Sequence, residues 1–256
     1  MLKKIISISC YAFLFLGIIL LLGFSKEENR SQPVHDVKIT ISRSYDNNFV
    51  DSAVVANRVS RLIDSLSKET FNDFSLRPLE NSINRMYYVQ SSQVYRTIDG
   101  TIVVNIKPRE ALARVVNTSD ESFYIDRTGR LMRVTNRYTA RVMVITGHLP
   151  ARYSSSLDLT QQRPVDEMSG SEILLRELFI LANHIDQDPF LKAWIDQIFV
   201  TRNGNFELIP KNGAHVIEFG DTTNMAGKFE KLLFFYQNGL TQVGWEKYRR
   251  INLKFN

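Results

Sequence analysis

Cysteine is nearly absent from this chain: its 256 residues include only one, Cys10. A lone cysteine excludes any intramolecular disulfide, even in a compartment that would permit one. Cys10 lies within a long apolar run near the N-terminus, and we interpret it as a small apolar residue of a helix.

The usual sequence signatures of catalysis are also missing. The chain has no nucleophile elbow, phosphate-binding loop or dinucleotide fingerprint. Adjacent residues on an extended segment point to opposite faces, so neither Asp120–Glu121 nor Arg109–Glu110 can converge on one substrate. No histidine has a partner at a metal-ligand spacing; the four are His35, His148, His184 and His215. The sequence therefore predicts a protein without catalytic residues, cofactor or bound metal.

Blocks of like charge are lacking as well. The chain has 32 basic and 27 acidic residues, for a net charge of +5, and no run of five like charges. A nucleic-acid footprint would concentrate basic residues on one face or segment. We interpret these charges as an ordinary solvated surface and expect no nucleic-acid partner.

What the chain does have is an uncharged apolar run of twenty residues, from Ile5 to Phe24. A helix of that length spans about 30 Å, the thickness of the hydrocarbon core of a bilayer. Lys3 and Lys4 precede the run, and the positive-inside rule places such residues in the cytoplasm. We therefore expect a cytoplasmic tail (1–4), a transmembrane helix (5–24) and a linker (25–33), with the remainder outside.

Two alternatives for the apolar run are a cleaved signal peptide and a lipoprotein signal. Gly23-Phe24-Ser25 is a poor cleavage site. A lipoprotein signal needs an apolar residue three positions before its cysteine, and Ser7 stands there. We favour an uncleaved anchor.

Residues 34–107 show the pattern of a small α+β module. An alternating strand near Val34–Ile41 precedes helical spacing over Val50–Leu66 and Leu79–Met86. Two strands follow, joined at Asp99-Gly100, which favours a type I′ hairpin. Helices that cover one face of such a sheet make an α+β unit.

The second half is richer in strands. A hairpin is predicted at Thr128-Gly129, and Ser169 with Glu172 predicts a capping box that starts a helix. Three further strands, a helix that ends at Gly239 and a final strand over Ile251–Asn256 complete the chain.

The segment between the two halves contains a proline. Pro108 cannot donate to a sheet, so it belongs at a strand end and closes the first module. We expect Arg109 and Glu110 to lie in solvent at this domain junction.

In order and spacing, several motifs resemble the bacterial cell-division family FtsQ, called DivIB in some bacteria. Three match its POTRA domain: Leu79-Glu80-x-x-Ile83, Tyr88–Arg96 and Asp99–Val104. Lys107–Arg114 and Tyr124-Ile125-Asp126-x-x-Gly129 match the next signatures of the family, and three segments near the end resemble its β domain: Val216–Asp221, Lys228–Leu232 and Arg250–Phe255. Each motif is weak alone, but in this order they cover nearly the whole chain.

The resemblance implies an α+β architecture: an N-terminal transmembrane helix, a POTRA domain (34–107), and a mixed β domain with packed helices (108–256). It also implies a non-catalytic, single-pass scaffold of the inner membrane at the division septum, with most of the chain periplasmic. The implied partners are FtsB-like and FtsL-like membrane proteins and other divisome components. No small-molecule substrate is implied.

The resemblance places the partner contact on the last strand. The implied contact residues are Arg250, Ile251, Leu253, Lys254 and Phe255. Lys254 stands where the family has a basic residue that pairs with a partner carboxylate, and Phe255 stands where it has an aromatic anchor. Alternatively, Phe255 closes the core against Phe229, Leu232 and Leu233.

Two other function classes remain open from the sequence. A POTRA-containing transport or protein-insertion factor would copurify with outer-membrane proteins, whereas a division scaffold would localise to the septum. A periplasmic enzyme of unrecognised type is the third.

Overall fold

The structure is a computed structural model that describes residues 13–19, 36–42, 49–66, 75–240, 242, 244 and 247–254. The chain divides into two compact units. The first comprises residues 1–44 and 50–108, and the second comprises residues 45–49 and 109–256.

Described residues 13–19 form a helix, α1, whose apolar side chains are mostly exposed. In the part of the chain that the structure describes, no helix is both long enough and apolar enough to cross a membrane. Most of the expected transmembrane segment, residues 5–12 and 20–24, lies outside the described residues, as do the expected tail and linker.

The first unit is a three-stranded sheet with two helices. Its elements are β1 (Val37–Ile41), α2 (Ser52–Leu66), α3 (Arg77–Asn84), β2 (Val89–Arg96) and β3 (Ile102–Pro108). The strand order is β1-β3-β2, with β1 parallel and β2 antiparallel to the central β3. Every second side chain of β3 is apolar and packs with α2 and α3; these core residues include Val55, Leu79, Ile83, Val104 and Ile106.

The second unit is built on an eight-stranded mixed sheet. Its strands are β4 (Ala111–Val116), β5 (Ser122–Asp126), β6 (Leu131–Arg133), β7 (Met143–Gly147), β8 (Ile195–Val200), β9 (Phe206–Pro210), β10 (Val216–Gly220) and β11 (Arg250–Asn252). The order across the sheet is β11-β10-β9-β8-β7-β4-β5-β6. Thus β11 and β6 are its two edges.

Helices complete the second unit. They are a 3₁₀ turn (Val165–Glu167), α4 (Gly170–Gln187), α5 (Pro189–Trp194), α6 (Met225–Phe235) and a π-helical turn (Tyr236–Leu240). The predicted capping box is confirmed: Ser169 accepts from the Glu172 backbone, and the Glu172 side chain accepts from the Ser169 backbone. Alternating apolar residues of the sheet pack with α4, α5 and α6 in one core.

Two turn predictions are wrong in detail. The Asp99-Gly100 hairpin has positive φ at Gly100 only, because its loop closes with the Thr97 N–H on the Thr101 carbonyl instead of forming a type I′ turn. Gly239 is not a left-handed helix cap. It lies within the π-helical turn, where a Cβ would stand 2.7 Å from the Phe235 ring, so glycine provides close approach there.

Candidate functional site

Strand β11 forms one edge of the eight-stranded sheet and pairs in parallel with β10. The Val216 N–H donates to the Arg249 carbonyl at 2.9 Å, and the Leu253 N–H donates to the Glu218 carbonyl at 2.9 Å. Backbone groups that face one neighbour alternate along a strand. The N–H and C=O groups of Arg250 and Asn252 therefore face outward, and no described strand pairs with them.

The apolar residues of this segment face inward. Ile251 is 8% exposed and Leu253 is 7% exposed, and both belong to the core of the second unit. The burial of these two side chains fixes the register of β11 on β10, because a shift of one residue would turn both side chains to the solvent face of the sheet. The structure thus places these two predicted contact residues in the core behind β11 rather than on its surface.

The charged residues of the edge form a network on the opposite face of the sheet. The Arg250 guanidinium donates to the carboxylates of Glu218 and Glu207, yet the Arg250 side chain is 56% exposed. Lys254 Nζ lies 3.5 Å from Glu218 Oε2. The hydrogen bond from Arg250, followed by the charges of Arg250 and Lys254, lowers the pKa of Glu218 against the effect of burial.

Two contacts position Lys254, one with Asn252 and one with Gly220. Its backbone N–H donates to Asn252 Oδ1 at 2.9 Å. Its side chain passes over Gly220, where φ is +81° and a Cβ would stand 3.1 Å from Lys254 Cγ. A glycine is therefore needed at position 220 for both backbone conformation and space. Phe255 lies outside the described residues.

The buried side chain of Lys228 connects α6 to the end of β10, the strand that pairs with β11. Lys228 Nζ donates to the Asp221 carbonyl and to Asp221 Oδ1, both at 2.9 Å. It also lies 5.1 Å from the centre of the Phe219 ring. Hydrogen bonds from Thr223 and then Lys228 lower the pKa of Asp221 to about 2. The contact between Lys228 and Asp221 thus joins two segments that the sequence analysis singled out, Val216–Asp221 and Lys228–Leu232.

The residues predicted at the domain junction are more buried than expected. Pro108 ends β3 opposite Val89 and is buried. The Arg109 side chain is 15% exposed and pairs with Asp126, 2.7 Å from NH1 to Oδ2. The Glu110 carboxylate lies 3.2 Å from Arg127 Nε. Arg109 is therefore less exposed than expected because it pairs with the buried Asp126, whereas the Glu110 side chain is 37% exposed beside Arg127.

Asp126 explains the motif Tyr124-Ile125-Asp126-x-x-Gly129. Its side chain is 1% exposed, and Oδ1 accepts from the N–H groups of Thr128 (2.8 Å) and Arg130 (2.9 Å). Gly129, at φ +76°, closes the turn by donating to the Asp126 carbonyl. One buried carboxylate therefore shapes the β5–β6 hairpin and holds Arg109.

Sequence reasoning missed a buried polar pair near the start of β10. His215 Nε2 lies 2.8 Å from the Tyr236 hydroxyl, and the two residues are 21 positions apart. No short-range pattern could have paired them. The available signal was a histidine at an otherwise apolar strand start.

The comparisons with known proteins agree with this architecture. The FtsQ/DivIB, C-terminal related family model matches residues 110–256. A POTRA-like domain model matches residues 32–107. The search of curated proteins gave no match.

The matches confirm the resemblance that the motifs indicate. The first alone covers more than half of the chain. FtsQ/DivIB proteins are a non-enzymatic family of division-site membrane proteins. The chain therefore belongs to the FtsQ/DivIB, C-terminal related family, with a POTRA-like domain ahead of the family domain.

Proposed function

We propose that this chain is a non-catalytic, single-pass scaffold of the divisome in the inner membrane, and that the outer edge of β11 binds an FtsB-like partner by strand addition. The FtsL-like protein joins as a companion of that partner. Residues 5–24 form the anchor in this proposal, and the POTRA domain (34–107) and β domain (108–256) lie in the periplasm.

The observation that supports this function is the outward-facing backbone of Arg250 and Asn252. A strand edge with unpaired N–H and C=O groups is a template for another strand. In strand addition the main-chain hydrogen bonds supply affinity, and the side chains supply specificity. Burial of Ile251 and Leu253 keeps this edge in one register before any partner arrives.

The charge network supports the same partner chemistry. Arg250 already has two carboxylates, and these hold its guanidinium in place while most of it stays exposed. Lys254 is half-buried beside Glu218. In this proposal both cations also pair with an acidic residue of the added strand, and Phe255 is the aromatic anchor at its end.

The proposal is tested by removing one outward N–H. Asn252→Pro should preserve the fold, because proline is tolerated where the N–H of an edge strand faces away from its neighbour. It should weaken binding of the full-length chain, in nanodiscs, to the purified FtsB–FtsL pair by about tenfold or more, because a partner carbonyl loses its donor.

Asn252→Ala is the matched control. It also removes the side-chain oxygen that accepts from the Lys254 N–H, but it keeps the outward N–H. We expect it to bind nearly as the wild type does. Equal affinities for Asn252→Pro and the wild type, with cooperative melting retained, would rule out strand addition at β11.

A further inference from the structure

His215 lies one residue before β10 and is 2% exposed. Its Nε2 faces the Tyr236 hydroxyl at 2.8 Å. Its Nδ1 is buried and has no hydrogen-bond partner among the described residues. A Cβ on Gly213 would stand 2.9 Å from Nδ1, so only a glycine leaves room for the imidazole. Buried polar atoms without a partner are uncommon and call for an explanation.

The hydrogen bond to Tyr236 favours a neutral histidine at position 215. The Trp194 ring packs edge-on against the Tyr236 ring, with 5.7 Å between the centroids, and keeps the pair away from solvent. A tyrosine hydroxyl can donate to an unprotonated imidazole nitrogen, so Tyr236 donates to His215 Nε2. His215 is then neutral and has its own proton on Nδ1.

A second proton on His215 would disrupt this arrangement. Nε2 could no longer accept, so the Tyr236 hydroxyl would lose its acceptor and a positive charge would be buried without compensation. Tyr236 is the titratable group that faces His215 from the π-helical turn, and the preceding turn contributes Gly213. Burial is the sole cause that lowers the pKa of His215, with no carboxylate or cation of the described residues contributing.

His215 also connects two elements near β11, the π-helical turn and the start of β10. Its partner Tyr236 begins the π-helical turn after α6. The next residue, Val216, makes the hydrogen bond that starts the pairing of β10 with β11. An opening that lets solvent reach Nδ1 therefore loosens the turn and the first β11 contact together.

We propose that His215 is a proton-sensitive latch: neutral His215 holds the β11 edge ready for a partner strand, and protonation below about pH 6.5 releases that edge. Partner binding at the β11 edge rests on the proposed function, whereas the release of this edge by acid does not. Because an exposed histidine binds the proton better than the buried one, acid favours the open state.

The test is amide hydrogen exchange of the full-length chain in nanodiscs at pH 7.5 and pH 5.5, corrected for the intrinsic exchange rate. One pH unit below the ordinary histidine pKa, protection of residues 216–218, Ile251 and Leu253 should fall by up to about tenfold in the wild type. His148→Gln, which changes an exposed histidine, should behave in the same way.

His215→Gln should remove the acid effect, because glutamine can accept from Tyr236 but does not titrate. His215→Phe serves the same purpose if the glutamine variant does not fold. Unchanged protection at pH 5.5 in the wild type would overturn the latch on its own. An equal loss of protection over β4 and β5 would also overturn it, because the acid effect would then be global.

Partner binding separates this inference from the proposed function. We expect the FtsB–FtsL pair to bind the wild type more weakly at pH 5.5 than at pH 7.5, and to bind His215→Gln equally at both. Binding at pH 7.5 that is insensitive to Asn252→Pro would refute the docking edge, while the exchange result would still decide the latch.

Discussion

At one edge of the eight-stranded sheet, residues 158–159 bridge the turn that leads into β6, whereas at the other edge β11 has no described neighbour on its outer side. Arg130, just before β6, forms an antiparallel bridge with Asp158. The Leu159 N–H donates to the Gly129 carbonyl at 2.9 Å, and an Arg130–Asp158 ion pair of 3.4 Å lies beside it.

The difference between the edges indicates where this domain has room for a partner. Proteins cover or shorten exposed strand edges because unpaired edges promote unwanted association. Among the described residues, the turn before β6 is bridged and the outer side of β11 has no neighbour, while buried residues hold β11 in register and charged residues limit what can add to it.

The largest effect on the free energy of unfolding is expected at the β6 edge. Asp126→Ala removes the carboxylate that shapes the β5–β6 hairpin and leaves the half-buried Arg109 guanidinium without its partner. Loss of one member of a buried ion pair typically costs about 3–5 kcal/mol. Chemical denaturation should show a loss of that size, while the folded fraction still binds the FtsB–FtsL pair normally. A loss below about 1 kcal/mol would mean that Asp126 does not organise this edge.

Matched truncations in the two edges should separate stability from binding. Leu253→Ala and Leu131→Ala each remove a buried leucine, 7% and 6% exposed, and each should lower the free energy of unfolding by about 2–4 kcal/mol. Only Leu253→Ala should also weaken partner binding in titrations of folded protein, because it loosens β11. Equal effects on binding would argue that docking does not distinguish the two edges.

Acid should weaken the contact between α6 and the end of β10 by protonating Asp221. Its pKa in the folded chain is lowered from 3.8 to about 2, so its carboxylate stabilises the fold above pH 3.8 and this contribution is lost as the pH falls toward 2. Asp221→Asn should therefore flatten the acid limb of a stability–pH curve in that window. A curve with the wild-type slope would show that the charge of the Asp221 carboxylate does not stabilise the fold.

The smallest change in stability is expected for Lys254→Glu. Lys254 is partly exposed, and such ion pairs contribute under about 1 kcal/mol, so the melting curve should be nearly that of the wild type. Binding should weaken much more, because the charge that faces the partner is reversed beside Glu218. Lys231→Glu, an exposed change on α6, is the control. Normal melting and unchanged binding for Lys254→Glu would remove Lys254 from the docking edge.

The elements that the sequence predicted correctly are those with local causes. Alternation in β3 and the Ser169–Glu172 capping box are confirmed because each depends on residues a few positions apart. Helix α3 begins at Arg77, two residues before the expected start. Pro78 fits the first helical turn, where its missing N–H would have no intrahelical partner.

The features that the sequence could not supply depend on long-range contacts. The parallel pairing of β11 with β10 joins residues 34 positions apart, as for Val216 and Arg250, and no local pattern encodes it. The burial of Arg109 likewise follows from Asp126, on the neighbouring hairpin. The sequence predicted a final strand, but only the position of that strand in the sheet shows which of its backbone groups face outward.

The most direct test of the account is site-resolved amide exchange of β11 in the full-length chain, with and without the FtsB–FtsL pair at saturating concentration. Strand addition should slow exchange of the outward N–H groups of Arg250 and Asn252, with little change at the already paired Leu253. If the pair binds and the Arg250 and Asn252 amides exchange as fast as before, the outer edge of β11 is not where the partner docks.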